Sequence, residues 1–320
     1  MNAPFNPTHI QPSIIQNTES MDFAAAACDF QNESFIDNAH AHIAQLPEAV
    51  RQAIADFHKK PHKSGALLIK GLPVGQLPDT PATPTTPTAK DCTSELTLLT
   101  IAKTLGEPIG YEPELGGRII QNILPTKTAS TRQVSTSSKV SLMFHTEAAF
   151  HPHRPAYLLL LCLKGDPAAS TTLASIREVL PLLSSAAVET LFQARFRTAV
   201  DESYLHGREN ILGEPVPVLS GELDCPSMVF DADLMVGMDD AAQSALAELS
   251  RAVAACHTSV CLESGDLLIV DNAVAVHGRS PFTPRFDGTD RWLHRTFVVD
   301  ALTASAKERV GRVISTEFGL

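Results

Sequence analysis

Three short segments of this chain concentrate residue types that can do chemistry. The first is Phe144-His145-Thr146-Glu147-Ala148-Ala149-Phe150-His151-Pro152. On an extended backbone side chains alternate faces, so His145 and Glu147 point the same way, and an imidazole and a carboxylate can grip one edge of a metal ion. The second runs from Val270 to Ser280 as VDNAVAVHGRS, a strand that ends by delivering His277 at its mouth. Two histidines and one carboxylate, with open coordination positions, make the facial triad of non-haem Fe(II) oxygenases. A zinc hydrolase uses the same donors.

The third segment, Arg291-Trp292-Leu293-His294-Arg295, helps to choose between those metals. Its alternation puts Arg291, Leu293 and Arg295 on one strand face and Trp292, as packing, on the other. Two guanidinium groups facing into a barrel are costly without anionic partners, and each can hold a carboxylate through two parallel hydrogen bonds. Iron, a dicarboxylate cosubstrate and a carboxylate-bearing substrate satisfy both. A zinc hydrolase instead predicts activity without O2 and no role for Arg291. A non-catalytic jelly-roll binding protein predicts ligand binding without turnover.

The elements that must position these residues are legible in outline. Residues 1–20 are polar and aperiodic and read as a flexible arm. Leu46, Val50, Ile54 and Phe57 have helical spacing, with Pro47 suited to a first turn. A short strand follows at 65–70, and the Pro/Thr-rich stretch 79–88 is a connection rather than an element. A second helix is expected with Ser94 as its cap and Gly106 past its end. Strands are expected at 117–124 and 156–163, a loop at 125–139, and a helix over 176–194. Short strands at 196–200, 216–219 and 227–230 precede a helix from Asp239 or Asp240, and further strands fall at 259–262, 267–271 and 291–300. Strands crowd the second half, which points to a β-rich sandwich or half-open barrel with helices outside.

Composition narrows the function. The 320 residues hold 25 Lys plus Arg against 36 Asp plus Glu, a net charge of −11. No basic field exists to release counterions from a nucleic acid. No apolar run reaches the roughly 18–20 residues of a membrane helix. The N-terminus shows no secretory signal, and six cysteines without a CxxC pair read as reduced thiols, so a cytoplasmic location is expected. The oligomeric state is not written in these features.

With these residues in place, the chain resembles the clavaminate synthase-like branch of the Fe(II)/2-oxoglutarate-dependent oxygenases, within the taurine dioxygenase superfamily. The branch includes hydroxylases of free arginine, asparagine and lysine. The likeness runs from about Gly65 to Val299 and is most specific in FHTEAAFHPHRPAYLLLLCLKGDP and VDNAVAVHGRSPFTPRFDGTDRWLHRTFV. It implies a double-stranded β-helix (jelly roll) with flanking helices and lid loops. Because the matched segments flank the 79–88 loop, residues 21–320 are expected to form one domain.

Carried over by residue, the resemblance makes His145, Glu147 and His277 the Fe(II) ligands, with O2 as the oxidant. Arg291, fourteen residues after His277, matches the anchor of the distal carboxylate of 2-oxoglutarate. Thr172, twenty-seven residues after His145, matches the hydroxyl that assists it. Arg295 matches the residue that takes the substrate carboxylate, and Glu147 also borders the substrate. Asp231 matches an acidic substrate contact, with Asp233 beside it, and Gln133 and Ser135 fall where the substrate loop begins. The segments 128–140 and 221–240 would be lids. Such a pocket suits a free L-amino acid, with a basic side chain such as lysine or arginine favoured over an asparagine-like one. Hydroxylation of a C–H bond, with release of succinate and CO2, would give a hydroxy amino acid of the kind that feeds peptide natural products.

Overall fold

The structure is a computed structural model that describes residues 11–21, 32–59, 62–205 and 207–319. Part of the expected arm is ordered. Strand β1 (Ser13–Gln16) pairs in parallel with Ala66–Lys70, and Asn17 fastens it by donating from Nδ2 to Gly71 O at 3.0 Å. Four residues of edge strand with one side in water carry too little apolar periodicity to be seen in sequence. Residues 1–10 and Cys28 lie outside the described residues.

Helix α1 (Glu33–Asn38) is capped by Asn32, whose Oδ1 accepts from Ser34 N at 2.9 Å. Helix α2 (Glu48–Lys59) buries Val50, Ile54 and Phe57 as their spacing predicts, and Pro47 O accepts from Arg51 N to open it. Strand β2 (Ala66–Lys70) follows. The 79–88 connection is tied down by Thr80 Oγ1, which donates to Asp290 O at 2.7 Å. Helix α3 (Thr93–Leu105) begins after Cys92 rather than at Ser94. Ser94 is buried inside the helix, its hydroxyl donating to Glu95 Oε2 at 3.0 Å, so a buried charge cluster claims the hydroxyl that would otherwise cap. Cys92 is disulfide-bonded, against the expectation of reduced thiols, because pairing depends on approach in space and not on spacing along the chain. Cys162, Cys225 and Cys261 are free.

Strands β3 (Glu107–Tyr111), β4 (Gln121–Ile123), β5 (Leu142–His145), β6 (Tyr157–Lys164) and β7 (Ser170–Ser175) come next. The single helix expected over 176–194 is broken into α4 (Ile176–Val179) and α5 (Ser185–Leu191). Pro181 sits in the intervening turn, and Ser184 starts the second piece by accepting from Ala187 N. The chain continues through β8 (Phe196–Thr198), β9 (Leu219–Glu222), β10 (Cys225–Met228), β11 (Met235–Gly237) and α6 (Asp240–Cys256), the last capped by Asp239. It ends with β12 (Thr258–Cys261), β13 (Leu267–Asp271), β14 (Ala275–Arg279), β15 (Trp292–Val299), β16 (Arg309–Val310) and β17 (Val313–Ile314). Among the described residues, no helix is long and apolar enough to cross a membrane.

The strands form a nine-stranded mixed sheet, ordered β1-β2-β13-β6-β15-β3-β17-β16 with β4 also on β15, and a four-stranded sheet, β12-β7-β14-β5. Two small hairpin-like pairs, β9–β10 and β8–β11, stand apart. The large sheet is apolar on both faces, which is why YLLLLCL reads as a continuous run. Tyr157, Leu159, Leu161 and Leu163 pack with α2 and α3 in one core. Leu158, Leu160 and Cys162 face the small sheet in a second. A third core joins the other side of the small sheet to α5 and α6. The functional cavity opens between the two sheets.

Candidate metal centre and cavity

Pairing between β5 and β14 creates the centre. His277 lies directly opposite His145 in the register, and Glu147 follows in the turn after β5. The three offer ligand atoms that all lie within 4.8 Å of one another. Gly278 is required beside them: a Cβ there would meet Leu142 O at 2.5 Å and Thr172 Oγ1 at 2.9 Å.

Each donor is prepared for a cation. His145 Nδ1 sits 2.8 Å from Met143 O, so that nitrogen carries the proton and Nε2 keeps its lone pair. Burial, and then the neighbouring His145, lower the His277 pKa to about 4, so its ring is neutral. Burial alone would raise the Glu147 carboxyl, but Arg295 and His277 outweigh it and hold the group down to about 2. Its Oε2 is buried without a hydrogen-bond partner, 3.5 Å from His277 Nε2. A bare carboxylate oxygen beside two imidazoles is the donor set of a divalent transition metal, and the residues fit Fe(II).

Around this centre is a cavity of about 340 Å³. Arg291, Leu293 and Arg295 all line it, as their alternation predicts, while Trp292 packs into the core behind. His294 also faces backward, 4.0 Å from Glu95 on α3, and burial pushes its pKa down to about 4. Arg291 Nη2 donates to the hydroxyl of Thr171, at 3.4 Å. The expected partner, Thr172, is a correction. It does not line the cavity, because neighbouring strand residues face opposite sides and Thr171 holds the inward position. Arg279, the last residue of β14, also reaches the cavity. Its Nη1 and Nη2 donate to Ser137 Oγ and the carbonyls of Ser138, Val140 and Ser280, while its buried Nε has no hydrogen-bond partner. Burial and then Arg291 lower its pKa to about 10.

Arg295 stands elsewhere in the cavity, held by Gln121 Oε1 and by Glu114 Oε2, the latter 2.8 Å from Nη2, with Glu147 Oε1 3.6 Å from Nη1. Glu114 was not anticipated. It lies in the turn after β3, and only its approach to Arg295 marks it. Burial raises its pKa to about 7 against the pull of Arg295. Asp231 is buried beside His145, its Oδ1 accepting from Asp233 N and Leu234 N at 2.8 Å each. Burial raises its pKa. Asp233 lines the cavity at an exposed position, and Ser135 lines it from the 128–140 loop. Gln133 lines it too, but both ends of its amide are occupied, by Ser141 O and Met143 N, so it straps the loop to β5. Of the 221–240 segment only Asp231, Asp233 and Leu234 reach the cavity. A third wall, at Asp201, Ser203 and Tyr204, was not expected.

Comparison with known proteins agrees with this arrangement. The model for the taurine catabolism dioxygenase TauD, TfdA family matches residues 37–297. An L-lysine 3-hydroxylase of Catenulispora acidiphila is 39% identical over 304 residues, 93% of this chain and 85% of that protein. An L-asparagine oxygenase of Streptomyces coelicolor is 39% identical over 268 residues, 82% of this chain and 79% of that protein. The crystal structure of an asparagine oxygenase in complex with Fe(II), 2S,3S-3-hydroxyasparagine and succinate superposes with a TM-score of 0.85 at 35% identity, over 90% of this chain and 91% of that one.

Proposed function

The chain belongs to the taurine catabolism dioxygenase TauD, TfdA family, and from that premise we propose that it hydroxylates a free L-amino acid, using Fe(II), 2-oxoglutarate and O2. The observation that carries this reading is the pairing of the His145–Glu147–His277 donor set with two separate guanidinium sites in one cavity. Arg291 and Arg295 are four residues apart on one strand face, about 13 Å at 3.3 Å per residue. That separation suits two different carboxylates.

In this reading His145, Glu147 and His277 hold the iron, which when bound supplies oxygen activation coupled to conversion of 2-oxoglutarate to succinate and CO2. Arg291 and the Thr171 hydroxyl receive the distal carboxylate of the cosubstrate. Arg295 orients the substrate carboxylate, and Glu114 accepts from its ammonium group. Asp231 and Asp233 extend the acidic wall toward the side chain, which favours lysine, arginine or ornithine over a neutral residue. The walls at 128–136, 201–204 and 231–234 exclude water and fix which C–H bond faces the metal. We read the two facing sheets as the double-stranded β-helix of a single domain. A zinc hydrolase would leave the Arg291–Thr171 site without an anion to bind, and nothing in the geometry favours it.

The test is a succinate-release screen over the free amino acids, with mass detection of products that have gained one oxygen. Lysine or a similar cationic amino acid is expected to give coupled product, and His145→Ala to give none. Iron-dependent succinate formation that persists in His145→Ala would sink the metal assignment. Preference for a neutral side chain would sink the substrate assignment.

A further inference from the structure

Asn272 occupies the tight link between β13 and β14 and is 1% exposed. Its side chain is fully engaged. Oδ1 accepts from Glu147 N at 2.8 Å, and Nδ2 donates to Glu147 O at 3.1 Å and to Pro155 O at 2.9 Å. One amide therefore meets both the N–H and the C=O of a single residue, the residue whose carboxylate faces His145 and His277. Only one orientation of the amide works, because a flip would set donor against donor and acceptor against acceptor. The main chain of Asn272 adds to the hold, donating from N to Ala156 O at 2.9 Å.

The turn being held is one that needs holding. Ala148, the next residue after Glu147, has φ +50, a left-handed conformation that residues with a Cβ rarely adopt. Such backbone persists where its surroundings over-determine it. The Glu147 carboxylate is held only at long range from its own end: Oε2 has no hydrogen-bond partner, and its contacts with His277 Nε2 and Arg295 Nη1 are 3.5 and 3.6 Å. The direction of that carboxylate is therefore set through its main chain.

We propose that Asn272 is a positioning residue of the metal centre: its amide fixes the peptide groups on either side of the Glu147 Cα and so aims the carboxylate at the cation. This rests on the reading of His145, Glu147 and His277 as metal ligands. Groups that orient a ligand without touching the metal typically change metal affinity by roughly 10–100-fold when replaced.

The experiment uses metal-free protein titrated with Mn(II), followed by calorimetry, and the ratio of hydroxylated product to succinate with iron. Asn272→Asp keeps the size and the acceptor but loses both donor bonds. Asn272→Ser is a second variant in case the first fails to fold. Expected are a Mn(II) Kd raised roughly 10–100-fold and a lower product-to-succinate ratio. A merely structural role would lower the melting temperature of the metal-free protein and leave both readouts alone. A folded variant with Mn(II) affinity within about twofold of wild type and an unchanged ratio overturns the proposal. Wild-type protein that binds Mn(II) no better than His145→Ala overturns the triad reading instead.

Discussion

Arg295 Nη2 lies 2.8 Å from Glu114 Oε2, an ion pair in the cavity wall between a β15 residue and a turn residue far from it in sequence. An ammonium group arriving beside this pair would exchange water for a carboxylate acceptor, while the substrate carboxylate meets the guanidinium. A hydrogen bond to a charged group contributes about 1.5–3 kcal/mol, and 1.4 kcal/mol is tenfold in affinity. Glu114→Gln is therefore expected to raise the amino-acid KM roughly 10–100-fold and leave 2-oxoglutarate affinity unchanged. An unchanged KM, measured by succinate release, would remove Glu114 from the substrate site.

The neighbouring threonines give a test of strand parity. Thr171 Oγ1 accepts from Arg291, whereas Thr172 lies outside the cavity lining. Thr171→Val keeps shape and removes one hydrogen bond, a change of about 0.5–1.5 kcal/mol. It should raise the 2-oxoglutarate KM roughly 2–10-fold, while Thr172→Val leaves it unaltered. The opposite ranking would mean that the strand is read one residue out of register.

That slip shows what the sequence could and could not convey. The triad and the two arginines were legible because each sits in a motif whose residue types have few other uses together. The layers were legible where periodicity is strong, as in Tyr157–Lys164 and the α2 face. The choice between Thr171 and Thr172 needs absolute strand register, which spacing from His145 supplies only to within one residue. Glu114 and Asn272 act through turns, where position depends on long-range packing rather than on periodicity. Ser13–Gln16 is too short and too polar on one side to announce a strand. In the cavity wall, residues 201–204 carry no pattern that separates a lining turn from any surface turn.

Asp231 and Asp233 differ in what they can do for a cationic side chain. Asp231 is buried and Asp233 is exposed, where salt and water screen its field. Asp231→Asn preserves the oxygen that accepts from Asp233 N and Leu234 N, so it removes charge with little structural change. It is expected to raise the KM for a lysine-like substrate about tenfold, consistent with one lost charge-assisted contact. Asp233→Asn should change it only about twofold, as for an exposed pair. Equal effects on a cationic and a neutral amino acid would show that neither acid reads side-chain charge.

His294 and His151 make the fold sensitive to acid in a predictable window. Burial lowers the pKa of His294 to about 4 and that of His151 to about 3. Both are then neutral in the folded state below the ordinary histidine value of about 6.5, where the unfolded chain takes up protons. A depressed folded pKa contributes stability that is complete above about 6.5 and is lost as pH falls toward the folded value. Each such histidine adds a slope approaching about 1.4 kcal/mol per pH unit within the window. His294 is far better placed for the test than the triad, because it faces Glu95 and α3 rather than the metal. Urea midpoints of metal-free protein should drop steeply from pH 7 to pH 5, and His294→Gln should flatten that drop by close to one proton. A variant with the wild-type slope would mean that His294 is protonated in the native state, paired with Glu95.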